Sequence, residues 1–182
     1  KGLSEHKDKE IKIMEKYIDQ ILGSLGKIFE NSLSKMSYIM LEAILDAIAT
    51  IAEHNSFDRF YPSFMPGLKK IISIIGADTE QKIMIRSRTL ETMGHLLYAI
   101  RENEALFKPE CEEIMKSLLS MQQTLPEDDI MHKSLFVVYE SIVECMKENF
   151  AVYSDQVFHF AYLAGARKVY AQVLNEYETP KE

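Results

Sequence analysis

Tyr17-Ile18-Asp19-Gln20-Ile21 returns 136 residues later as Tyr153-Ser154-Asp155-Gln156-Val157. Two weaker echoes lie between, at Phe60-Tyr61-Pro62 and Phe107-Lys108-Pro109. With Tyr17, Tyr61, Lys108 and Tyr153 as equivalent positions, the steps are 44, 47 and 45 residues. Self-similarity at such a period marks stacked helical units, none of which can bury its own apolar face alone. The expectation is a solenoid rather than an ordinary globular domain.

Working outward from these phrases, apolar residues recur at the 3.6-residue helical spacing in seven segments. The first covers about 5–29, with Ile11, Met14, Ile18, Ile21, Leu22, Leu25 and Ile28 on its apolar side and Gly23 and Gly26 weakening its end. The second, 33–53, carries Met40, Ile44, Ala47, Ile48 and Ile51 and enough alanine for close helix approach. The third ends near 75, at Gly76; Pro62 suits its first turn, and Pro66 forces a late start or a kink. Asp78 or Thr79 can cap the fourth, which starts at 80. The fifth ends near 124, the sixth starts at 128 after an acidic linker, and the seventh ends near 175. The second, fourth and sixth share a pattern: Ile44, Leu90 and Leu135 correspond, as do Ala47, Met93 and Val138, and Ile51, Leu97 and Ile142. The others carry an aromatic in their amino-terminal half. The unit is therefore a hairpin, helix A then helix B, at the HEAT period of about 45 residues. Residues 1–182 read as one array fragment: a B helix over 5–29, then A/B pairs over 33–75, 80–124 and 128–175. The fold class expected is all-α, a right-handed α-α superhelix of the HEAT/ARM-like kind with about seven antiparallel helices.

Composition narrows the function. The net charge of −7 argues against binding driven by nucleic-acid phosphates. Cys111 and Cys145 form no CxxC pair and read as buried thiols of a reducing compartment. No apolar run approaches the roughly 20 residues of a membrane span. The chain opens Lys1-Gly2 and reads as a piece of something longer.

One stretch is more specific. Ile48-Ala49-Thr50-Ile51-Ala52-Glu53, then Phe60-Tyr61-Pro62-Ser63-Phe64-Met65-Pro66-Gly67-Leu68-Lys69, resembles the importin-β (karyopherin-β) superfamily, and within it the karyopherin beta-3 type. There an A helix ending Ile-Ala-x-Val-Ala precedes a B helix opening Phe-Met-Pro-Ser-Leu-Lys; this chain departs at Gly67. Ile85-Arg86-Ser87-Arg88-Thr89-Leu90-Glu91 is similar to the family's Leu-Arg-Gly-Lys-Thr-Ile-Glu, and Glu127-Asp128-Asp129 matches an acidic linker. The match covers about 40–160. The resemblance implies an internal slab of a nuclear transport receptor that shuttles between cytoplasm and nucleus. It implies protein cargo on an inner surface of B helices, control by the GTPase Ran, and contact with phenylalanine-glycine repeats of pore proteins on the outer A helices. A slot for those phenylalanines would lie near Tyr98 or Tyr139. The alternative is another HEAT scaffold, such as a phosphatase regulatory subunit.

No catalytic constellation competes. His6, His54, His95, His132 and His159 stand at no metal-ligand spacing with Cys or carboxylates, and His95 reads as a partly buried structural residue. Cys111 falls on an apolar stripe, and no glycine loop cradles phosphate. No enzyme activity, cofactor or metal is expected. The candidate partner-binding residues are Asp19, Gln20, Glu112, Glu113, Asp155 and Gln156, all off the apolar stripes of B helices. They read as solvated faces or as an acidic strip for cargo with basic segments. Lys69, Lys70 and Lys116 on the same helices dilute that field. Met14, Met65, Met115, Met121 and Met146 read as packing, and Phe57, Phe60, Phe64, Phe107 and Phe150 as inter-helix core.

Overall fold

A computed structural model describes residues 2–54, 60–125 and 131–159. These form α1 (Gly2–Ser34), α2 (Tyr38–His54), α3 (Phe60–Ile74), α4 (Glu80–Ala99), α5 (Glu104–Thr124) and α6 (Met131–Met146). A 3-10 turn at Lys147–Phe150 leads into a helix over 151–159, here α7. No strand occurs among the described residues, and no described helix is long and apolar enough to cross a membrane.

The fold is all-α and repeat-like. The A helices α2, α4 and α6 lie side by side, and among the described helices the most extensive packing is between α4 and these two neighbours. The B helices form the second layer: α1 rests on α2 and α3, α3 on α4, and α5 on α6. Between the layers, Leu41, Leu45, Phe64, Leu68, Leu97 and Val138 are fully excluded from solvent. The three sets of equivalent positions all face this core. Ile44, Leu90 and Leu135 are buried; so are Met93 and Val138, and Leu97 and Ile142, while Ala47 and Ile51 at the end of the stack are half-buried.

Contacts between units carry the period directly. Thr92 Oγ1 donates to the Leu45 carbonyl at 3.3 Å across 47 residues, and the hydroxyls of Ser87 and Ser134 meet across another 47. Cys145 Sγ donates to the Leu97 carbonyl at 3.2 Å across 48. Each joins one A helix to the next. Side chains reach a neighbouring backbone in this way only where helix axes are close. Small residues permit it: a Cβ added at Gly94 would stand 3.0 Å from Val137 Cγ1 and 3.3 Å from the Val137 carbonyl. Between α4 and α6 the closeness comes from Gly94 and from serines of both helices.

Several boundaries differ from the sequence reading. α1 does not weaken at Gly23 or Gly26 but runs on to Ser34. Ile18, Phe29 and Leu33 bury against the core and offset the cost of about 1 kcal/mol per mid-helix glycine. α1 then stops in a Schellman motif. Met36 takes a left-handed φ of 50°, Ser37 N donates to Ser32 O at 2.9 Å, and Met36 N donates to Leu33 O at 3.2 Å. α2 consequently starts at Tyr38. Its core face is wider than the expected stripe: Ile44 and Ile48 are buried as expected, Leu41 and Leu45 beside them are buried too, and Met40 is 45% exposed. α2 packs on both α1 and α4, so no single stripe describes it.

α3 runs through Pro66, which has no N–H to offer the Pro62 carbonyl. Gly76 follows the helix without adopting positive φ. Thr79 caps α4 as expected, accepting from Lys82 N at 3.3 Å. Beside it, the Lys82 ammonium bonds Asp78 at 2.8 Å and holds that carboxyl below the usual range. The expected start of the sixth helix, at 128, and the end of the seventh, near 175, lie outside the described residues. So do Phe57, Asp128, Asp129 and the side chains of His6, Met14, His54, Phe60, Cys111 and Glu112.

Candidate functional site

The acidic candidates sit on three B helices. Asp19 and Gln20 are exposed on α1, next to the buried Ile18 that turns them outward. Asp155 and Gln156 are exposed on α7, next to buried Val157. On α5, Glu113 is exposed beside buried Ile114 and Met115. Glu113 Oε2 accepts from Lys69 Nζ on α3 at 3.3 Å, with the lysine 24% and the carboxylate 71% exposed. Part of the expected acidic field is therefore neutralised by an internal lysine. Gln156 contributes through its backbone: its carbonyl accepts from Gln122 Nε2 at 3.5 Å. Gln122 Oε1 in turn accepts from the Tyr139 hydroxyl at 2.7 Å, tying α6, α5 and α7 together.

The Lys69–Glu113 bridge spans a groove of about 320 Å³ between α3 and α5. Leu90 and Met93 of α4 and Ile114, Leu118 and Met121 of α5 make its floor. Lys69, Lys70, Ile72 and Ser73 make the α3 wall; Glu113 and Ser117 make the other. This groove was not expected from the sequence, although its cause is visible there. Between α1 and α3 the layer is closed because the Phe29 ring lies against Gly67 and meets the Phe64 ring edge-on at 6.0 Å. One step along the repeat, 44 residues from Phe29 and 47 from Gly67, stand Ser73 and Ile114. A small polar residue replaces the ring, and both replacements line the groove.

The remaining expectations resolve as follows. Tyr139 is buried in the α6 packing, with Phe136 at 6.3 Å, so it faces no surface slot. Tyr98 is 46% exposed, and the Arg101 guanidinium lies 4.1 Å over its ring. Of the repeated tyrosines, Tyr153 packs beside Phe150 at 6.2 Å, whereas Tyr17 on the terminal helix is 46% exposed. Met65 and Met115 are core residues; Met121 is buried and also lines the groove. Phe64, Phe107 and Phe150 are buried, while Ile28, placed on an apolar stripe, is 41% exposed and Phe158 62%. His95 is half-buried, His132 buried and His159 exposed. Among the described residues no group of three or more His, Cys, Asp or Glu could hold a metal.

These features define a two-layer stack of helical hairpins with a groove in its B layer between α3 and α5. Comparison with family models, curated proteins and solved structures finds no match to this chain.

Proposed function

We propose that this chain is a protein-binding slab of a nuclear transport receptor of the karyopherin beta-3 type, with its B-helix face as the working surface. The observation that carries the binding reading is the α3–α5 groove, an apolar floor between charged walls. Sites of this kind bury a partner's apolar groups and orient them through a few polar ones. The transport reading adds the resemblance of Phe64-Met65-Pro66-Gly67-Leu68-Lys69 to the receptors' B-helix opening. On this reading protein cargo occupies the B face, Ran in its GTP form governs release, and pore repeats touch the A face during passage through cytoplasm and nucleus.

The test is direct binding of the purified chain to GTP-loaded Ran and to a phenylalanine-glycine repeat peptide, followed by calorimetry. Saturable binding of either supports the transport reading. Binding of neither, together with capture of a phosphatase catalytic subunit, would replace it with the scaffold alternative.

A further inference from the structure

The groove between α3 and α5 is where the repeat leaves a place unfilled. At the preceding junction the chain seats its own aromatic ring, Phe29, against Gly67. At this junction Ser73 stands in the ring's position and Ile114 in the glycine's, and a groove remains over Met93, Leu118 and Met121, each of them nearly buried. The vacancy fits a bulky apolar side chain in both size and chemistry. Two methionines in its floor can adjust to the shape of what enters.

Charge selects the flanks of that occupant. The α3 wall presents two ammonium groups, Lys69 and Lys70, against one carboxylate, Glu113. Lys69 is engaged by Glu113, and Lys70 makes no ion pair among the described residues. A carboxylate arriving beside the groove therefore gains Lys70 at once and competes with Glu113 for Lys69. The long axis follows the helices: Glu113 to Met121 spans eight residue steps, or about 12 Å at 1.5 Å per residue. That length suits a short run of polypeptide.

We propose that the α3–α5 groove binds a short segment of a partner protein in which a phenylalanine or leucine is flanked by Asp or Glu. This inference rests on the protein-binding reading above but not on its transport part. The apolar side chain takes the place that Phe29 fills one repeat earlier, and the flanking carboxylate pairs with Lys70 and Lys69.

The test is fluorescence anisotropy of the purified chain with three labelled hexapeptides. One is acidic with a central Leu-Phe pair, one replaces its acids by Lys and Arg, and one replaces them by Ser and Gly. The acidic peptide is expected to bind at least tenfold more tightly than either other. Lys70→Glu is expected to weaken it about tenfold, and Glu113→Gln, which removes the competing carboxylate, to strengthen it about threefold. Ser117→Trp, a change at an exposed position that fills the groove, is expected to abolish binding while the helical circular dichroism stays unchanged. Equal or tighter binding of the basic or neutral peptide would overturn the proposal. So would an affinity that none of the three variants alters, or no binding of the acidic peptide at all. Failure with Ran and pore repeats, with these results intact, would remove the transport reading alone.

Discussion

A side chain at position 67 has nowhere to go. A Cβ there would collide with the Phe29 ring, which is itself buried and in edge contact with Phe64. Glycine at 67 thus leaves the space that the Phe29 ring occupies. Gly67→Ala is expected to cost about 1–3 kcal/mol by overpacking, read as a lowered urea midpoint. Adding Phe29→Leu should return part of that loss, because the two residues share one contact. At Tyr139, burial drives the phenol well above the ordinary tyrosine range. The folded state keeps this proton where the unfolded chain gives it up. The group therefore leaves stability untouched below about pH 10, the unfolded tyrosine value, and lowers it as pH rises further. Tyr139→Phe leaves Gln122 Oε1 without the hydroxyl and should cost about 1–2 kcal/mol at neutral pH. It should also flatten the alkaline loss of thermal stability; an unchanged alkaline limb would show that Tyr139 is not the group responsible.

Among the elements, the turn between α1 and α2 carries a local strain. Met36 holds a left-handed conformation that glycine adopts freely and methionine does not, and the Schellman bonds keep it there. Met36→Gly is expected to stabilise the chain by about 1 kcal/mol, read as a raised melting temperature. A lowered melting temperature would mean that the partly exposed Met36 side chain packs more than its position indicates. The helices themselves were legible because apolar periodicity survives in each: α5 ends at Thr124, as its spacing alone indicated. What periodicity did not reveal were effects of neighbours. α1 crosses Gly23 and Gly26 because Phe29 and Leu33, beyond them, are buried by tertiary packing. The core face of α2 widens from Ile44 and Ile48 to include Leu41 and Leu45 because two helices share it.

For the molecule as a whole, the period was the strongest signal in the sequence, and the structure turns it into contacts. Hydrogen bonds between successive A helices join residues 47 or 48 apart, and the B-layer bridge from Lys69 to Glu113 joins residues 44 apart. The candidate site was only half legible. Exposure of Asp19, Glu113 and Asp155 followed from their place off the apolar stripes. The groove did not follow, because it arises from what Ser73 lacks relative to Phe29, and that comparison needs the helices in register. Register is thus the claim on which the stack and its groove both depend. Its most direct test is a crosslink. In the double variant Ser87→Cys, Ser134→Cys the two thiols should form a disulfide under mild oxidation, because the native hydroxyls touch across one repeat. Non-reducing peptide mapping reads the bond. The expected result is a single linkage between positions 87 and 134 with the helical content retained; thiols that stay free, or that pair instead with Cys145, would contradict the stacked repeat.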